Sequence, residues 1–170
     1  MRLRPIAWLV LLTPIAVGGC GSDSDELSSP TAIRMKGLAN LFMDSAVSGN
    51  GKGPASEQEF KKHLLRLPVH VLVPNGFDSP DITGLTAAEA QVAIKKAVDK
   101  WINEVFVSQR DQEPFVIRYG VKITQISGTS AAVVIQEKTG KNGKRLVAYA
   151  NGKVELVDEA QFQNPTSAKQ

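Results

Sequence analysis

The one cysteine of this 170-residue chain, Cys20, closes the run Val17-Gly-Gly-Cys. A lone thiol forms no internal disulfide, so its chemistry is that of a nucleophile or of an acceptor for a covalent group. Gly18 and Gly19 keep the backbone before it slender enough for a peptidase cleft. The two histidines, His63 and His70, stand seven residues apart on different predicted elements, without the partners that metal binding or proton transfer requires. His63 reads as a partly exposed helix residue and His70 as a strand residue facing solvent or bonded locally. Asp78 and Asp81, with Asn75, offer oxygens in a Gly/Pro-rich loop, but calcium takes about six to eight oxygen ligands, and turn formation is the favoured role. The run Arg110-Asp-Gln-Glu113 reads as a solvated turn, the alternative being a loop ordered by internal ion pairs. With no Gly-x-Ser-x-Gly elbow and no phosphate loop, the sequence assigns no catalytic residue, no metal ligand and no cofactor.

Around Cys20 the chain changes character. Arg2 and Arg4 precede an apolar run from Ile6 to Ala16, a basic segment and hydrophobic segment of the proportions of an export signal. The run is short of the roughly 20 apolar residues that span a bilayer. Together with Val17-Gly-Gly-Cys20 it resembles the lipobox signal of bacterial lipoproteins, with Val17 and Gly18 where that pattern usually has Leu and Ala or Ser. The resemblance implies cleavage after residue 19, a diacylglyceryl group on the Cys20 thiol and acylation, for instance by palmitate, of the freed amine. It also implies attachment to the cell membrane or outer membrane on the periplasmic side, and Gly21, in place of a retaining aspartate, tilts towards the outer membrane. Two acyl chains suffice for stable anchoring, each buried methylene contributing about 0.8 kcal/mol. Loss of Arg2 and Arg4 leaves 18 basic against 17 acidic residues, so the net charge of +3 on the precursor is no nucleic-acid signature, and no basic stripe with interleaved aromatics is present.

Residues 20–31 then read as the lipidated cysteine and a flexible, acidic tether bounded by Pro30. Residues 32–163 read as one α+β domain, and residues 164–170 as a disordered tail. The spacing of Ile33, Leu38, Leu41, Phe42 and Ala46 predicts a helix over 32–47, stopped by the Gly/Pro run 48–54. Ser56-Glu-Gln-Glu59 is a capping-box pattern opening a second helix with Phe60, Leu64 and Leu67 on one face, and Phe42 is expected to meet Phe60. Residues 69–73 read as a short strand and 74–84 as an irregular loop. Thr86-Ala-Ala-Glu89 caps the longest helix, with Ile94, Ala97, Val98, Trp101, Ile102 and Val105 on its apolar face and an end between Trp101 and Phe106.

Beyond Pro114 the period shortens from helical to alternating. Phe115, Ile117, Tyr119, Val121 and Ile123 predict one strand face, and the apolar stretch 131–135 predicts a strand covered on both sides. Asn151-Gly152 predicts a two-residue hairpin turn pairing Tyr149 with Val154 and Val147 with Leu156. Asn142-Gly143 would set a register that clashes with these faces, so a longer or bulged connection is expected there, placing Tyr149 opposite Ile135. The expected fold is N-terminal helices packed on a C-terminal antiparallel meander of about four strands.

The segments Leu38-Ala-Asn-Leu-Phe-Met-Asp44 and Gly51-Lys-Gly-Pro-Ala-Ser-Glu-Gln-Glu-Phe60 resemble the end of the first helix and the following loop of type II secretion pseudopilins. The hairpin Lys144-Arg-Leu-Val-Ala-Tyr-Ala-Asn-Gly-Lys-Val-Glu155 is similar to the terminal hairpin of pilin-related proteins. The resemblance implies a pilin-like globular domain cut off from the long filament helix, since a lipobox and an acidic stretch stand in that helix's place. The expected role is a membrane-anchored, non-enzymatic module contacting envelope or secretion-associated proteins. The alternative is a small-molecule or metal-binding lipoprotein that uses the 74–84 loop.

Overall fold

The computed structural model describes residues 23–123 and 131–162; the leader 1–19, Cys20, Thr124 and the tail 164–170 lie outside them. Among the described residues six α-helices and four strands follow in the order α1 (Asp23–Leu27), α2 (Pro30–Ser48), α3 (Glu57–Leu64), α4 (Val69–Leu72), α5 (Ala87–Val105), β1 (Val116–Ile117), β2 (Val133–Gln136), β3 (Lys144–Tyr149), β4 (Val154–Asp158) and α6 (Glu159–Phe162). The strands form one antiparallel sheet in sequential order, so the fold is α+β, helices first and meander last.

The central helix α2 buries Met35, Leu38, Leu41, Phe42 and Ala46, which share one core with Phe60, Leu64, Leu72, Ile102, Val105, Ile135, Leu146 and Ala148. Ile33, expected on the buried face, is 56% exposed, and Met35 takes its place in the core. Phe42 and Phe60 meet edge to face at 5.6 Å between ring centres, as expected, and Phe60 stacks onward against Phe106 in the same geometry. Gly37, in mid-helix, has a packing reason: a Cβ there would lie 2.2 Å from the carbonyl oxygen of Asn75, so its absence lets the 3-10 turn Val73–Asn75 press onto α2.

The polar stretch before α2 is folded, contrary to the expected flexible tether. Ser29 caps α2 by accepting a hydrogen bond from the Ala32 amide at 3.3 Å, and Pro30 occupies the first turn, where its missing N–H costs nothing. The proline that looked like a linker marker is a helix start. Upstream, α1 has Asp23, Asp25 and Glu26 in its first turn, and two of these acids find cationic partners far along the chain.

Residues 69–73 are helical rather than extended. Pro68, with φ −62° and ψ 147°, forms the N-cap of α4, and the next turn continues as 3-10 helix through Pro74. A five-residue apolar run carries no periodicity that separates strand from helix, and His70 accordingly sits exposed on a helix. The caps were more legible. Thr86 and Glu89 form the reciprocal capping box at the start of α5, whereas Glu59 accepts from the amide of Ala55 at 2.8 Å while Ser56 caps Glu59. Helix α5 ends at Val105, inside the expected window, and Arg34 from α2 donates to the carbonyls of Glu104 in its last turn at 2.9 Å and of Val107 just beyond it at 3.0 Å.

The first strand is shorter than the alternation suggested. Val116 and Ile117 pair with β2 and the Arg118 amide donates to Val134 O; Gly120 to Ile123 instead run beside the Gly51–Pro54 loop, with Gly53 N–H to Val121 O and Ile123 N–H to Gly51 O. The 131–135 expectation of a strand covered on both sides holds, since Val134, Ile135 and Gln136 of β2 are all buried.

The last hairpin has a three-residue loop. Tyr149 N–H donates to Lys153 O, Gly152 takes φ 78°, and Leu146 pairs with Leu156 and Ala148 with Val154. This is one residue off the expected pairing and exchanges the faces of β3: Leu146 and Ala148 enter the core, while Tyr149 turns away and donates to Glu155 at 2.7 Å. The connection before β3 is bulged as expected, yet it also contains the tight turn. Asn142 and Gly143, at φ 54° and 71°, bring Lys141 and Lys144 into a mutual bridge. The register slips before Gln136 pairs Val147 and slips again at Val134, which leaves Tyr149 opposite Val133 rather than Ile135.

Candidate functional site

Where α5 runs into β1, the run 110–113 was expected to be a solvated turn in preference to a loop ordered by ion pairs. It is instead organised around a fully buried carboxylate, Glu137, at the end of β2. Ser108 Oγ donates to Glu137 Oε1 at 2.9 Å, the Leu146 amide donates to Oε2 at 2.8 Å, and Arg110 Nη1 pairs with the same oxygen. Ser108 Oγ in turn accepts from the amides of Arg110 at 3.1 Å and Asp111 at 3.3 Å. The Arg110 side chain is only 6% exposed, and its Nε faces Glu26 Oε2 of α1 at 2.8 Å. Burial pushes the Glu137 carboxyl above its ordinary value, against the opposing pull of the Leu146 amide, Arg110 and Ser108. Beside it Asp111 shows the reverse balance. Burial alone would raise it, but the Gly140 and Thr139 amides, the Ser108 hydroxyl and the Glu113 amide together hold it below the usual range.

This cluster ties four segments together: α1, the loop after α5, the β2–β3 connection and β3. Every carboxylate oxygen of Glu137 is engaged from within the protein, so the arrangement is a fastener. A sequence signal for it existed only in the charge run at 110–113; nothing in the local pattern at Glu137 marks it as buried, because its partners are 27 to 29 residues upstream or in the next strand.

Of the titratable residues singled out in the sequence, His63 has acquired a partner. Its Nε2 lies 3.0 Å from Asp44 Oδ2, bridging α3 to α2 at the rim of a polar cleft of about 310 Å³ lined by Ser45, Ser48, Glu59, Lys62 and Arg66 among others. His70 sits exposed on α4. Asp78 and Asp81 are exposed; Asp81 accepts from the Thr83 amide at 2.9 Å, the turn role expected for it. Among the described residues no group of three or more His, Cys, Asp or Glu side chains converges for a metal ion. Cys20 lies outside the described residues.

The second feature is apolar. Between the α3–α4 corner and α5 runs an open groove of about 480 Å³, lined by Leu65, Leu67, Val69, Ile94 and Val98, with Gln91, Lys95 and Asp99 along one side. Leu65 is 53% exposed. Lys95 and Asp99 pair with each other at 2.6 Å, so the rim is polar and locally neutral. No protein-family model, no curated protein and no solved structure matches the chain. The functional reading therefore rests on these two features and on the sequence around Cys20. Leu65, inside the expected second helix but just past the end of α3, was not singled out by periodicity; an apolar residue falling off a helix's core face was the available signal.

Proposed function

We propose that this chain is an envelope lipoprotein, anchored through acylated Cys20 in the cell membrane or outer membrane, whose α+β domain acts without catalysis as a contact module for envelope or secretion-associated proteins. The observation that carries the reading is the groove beneath Leu65: an exposed apolar trough with a neutral rim is the kind of surface that accepts an apolar segment of a partner protein. The spacing of the anchor supports it. Two residues, Gly21 and Ser22, separate Cys20 from α1, so an anchored domain stays within about 11 Å of its lipid at roughly 3.3 to 3.6 Å per residue. Among the described residues no helix is long and apolar enough to cross a membrane, and attachment falls to Cys20. The pilin-like segments supply the secretion-associated part of the proposal.

The test joins anchor and groove. Mass spectrometry of the processed N-terminus is expected to find a lipidated Cys20, and Cys20→Ser to release the protein from membranes. In-cell crosslinking from a photoreactive residue at position 91 is expected to yield a defined envelope partner that Leu65→Asp abolishes without lowering thermal stability. An unmodified Cys20 removes the anchor; a crosslink indifferent to Leu65→Asp removes the groove.

A further inference from the structure

Helix α1 lies against β4 and α2 without burying a residue, and charge ties it to the rest of the domain. None of its five residues is buried, and Leu27, its one large apolar side chain, is 42% exposed. Five residues fall far below the length at which a helix persists alone in water. Two ion pairs hold it down: Asp23 Oδ1 to Lys144 Nζ at 2.5 Å and Glu26 Oε2 to Arg110 Nε at 2.8 Å. The core takes hold of the chain only at Thr31 and Ala32, which are 1% and 2% exposed. Within 23–30 the two pairs and the turn at Ser28 and Ser29 act alongside the contacts that α1 makes with β4 and α2.

We infer that α1 is a salt-sensitive strap that sets the distance between the folded domain and its lipid. The inference rests on the anchor reading given above. Latched, three residues span from Cys20 to Asp23, a reach of about 11 Å; released, ten residues span from Cys20 to Pro30, a reach of about 35 Å at 3.3 to 3.6 Å per residue. The freed stretch is acidic, polar and bounded by a proline, the composition of a solvated linker. The exposed Asp23–Lys144 pair is individually weak and is screened as salt rises, the Debye length shrinking from about 10 Å at 0.1 M to about 3 Å at 1 M, while the more enclosed Glu26–Arg110 pair is screened less.

The latch also opens without breaking what it rests on. Arg110 keeps Glu137 when Glu26 leaves, so release strands no buried guanidinium. Lys144 is only half-buried and can turn to water, with Asp158 of β4 still contributing to its field. Opening is therefore local, confined to the segment before Thr31.

The experiment uses the full lipidated chain in phosphatidylcholine vesicles, with a donor dye on Ser79→Cys and acceptor dyes in the headgroups. Raising salt from about 0.02 M to about 0.5 M, across the range where screening takes hold, is expected to lower transfer efficiency as the domain stands off. The double variant Asp23→Asn, Glu26→Gln is expected to show the low efficiency at every salt concentration, and Asp23→Lys with Lys144→Asp to restore the high value at low salt. In parallel, hydrogen exchange at the Leu27, Ser28 and Ser29 amides is expected to quicken about tenfold or more in the double variant while β3 amides keep their rates. The inference is overturned if those three amides exchange as slowly as β3, or if transfer ignores both salt and the double variant. A chain that does not bind vesicles removes the anchor and the spacing role together, and the exchange measurement then decides by itself whether α1 is a latch.

Discussion

Replacing Glu137 by alanine should be the most damaging single polar substitution among the described residues. The side chain is completely buried and accepts from three donors: Ser108 Oγ, the Leu146 amide and the Arg110 guanidinium. Truncation strands the first two, at about 1 to 3 kcal/mol for each buried unsatisfied group, and removes one partner of a buried ion pair, a change that typically costs about 3 to 5 kcal/mol. Arg110 retains Glu26, which places the third contribution at the low end, and the costs overlap because the three contacts share one site. The expected loss is about 4 kcal/mol, read by urea denaturation of the non-lipidated Cys20→Ser protein at neutral pH with an unchanged m value. Glu137→Gln keeps one acceptor oxygen, which can serve Ser108 or the Leu146 amide but not both, and should lose less than the alanine variant. The isosteric variant also isolates a pH term. Because burial raises the Glu137 carboxyl, the folded state holds its proton more tightly than the unfolded chain. Its contribution is full below the ordinary carboxylate range and is lost as pH rises through the raised value. The parent should therefore lose stability relative to Glu137→Gln as pH climbs through that window. A Glu137→Ala protein within about 1 kcal/mol of the parent would show that water reaches the cluster and would refute the reasoning.

Three further outcomes follow from other contacts. Gly37→Ala should cost about 1 to 3 kcal/mol by overpacking, because its Cβ would meet the Asn75 carbonyl at 2.2 Å; thermal melting reads it. Asp111→Asn should weaken the protein at neutral pH by about 1 to 2 kcal/mol, since the carboxylate accepts from Gly140 at 2.9 Å and Thr139 at 3.0 Å. Its depressed pKa means that this difference is full above the ordinary carboxylate range and fades as pH falls through the folded value, visible in melting curves taken across acid pH. Trp101 is half-buried rather than enclosed, with its Nε1 donating to Gly76 O at 3.0 Å and its ring edge-on to Phe77 at 5.8 Å. Its replacement by alanine should cost about 2 to 3 kcal/mol, below the range of about 3 to 5 for a fully buried ring, while Trp101→Phe should lose about 1 kcal/mol for the hydrogen bond.

The parts of the fold readable from sequence are those settled within one or two turns of chain. The Thr86–Glu89 capping box, the apolar stripe of α5 and the glycine stop after α2 each involve partners three to seven residues apart, and they stand where expected. The misreadings come from choices that distant residues make. In β3 both alternating sets, Leu146 with Ala148 and Val147 with Tyr149, are apolar, so periodicity alone could not choose the buried face, and a one-residue change in the Gly152 loop decides it. Residues 23–31 have the composition of a linker; Lys144 and Arg110, more than eighty residues away, fold part of them. The Glu137 cluster is likewise assembled from segments whose local patterns carry no mark of burial. Of the groove, the α5 side follows from helix period, whereas the opposite wall depends on residues 69–73 being helical.

The way α5 is seated has a consequence for how the molecule comes apart. Its burial is concentrated at Val98, Ile102 and Val105, while positions 87–92 are exposed apart from half-buried Ala90, so the first turns overhang the body like a cantilever. A protease probing the native protein should find its earliest cut in the exposed stretch 78–92. The two pieces should remain associated, because Ile102, Val105 and Phe106 stay lodged beside α2 and the sheet.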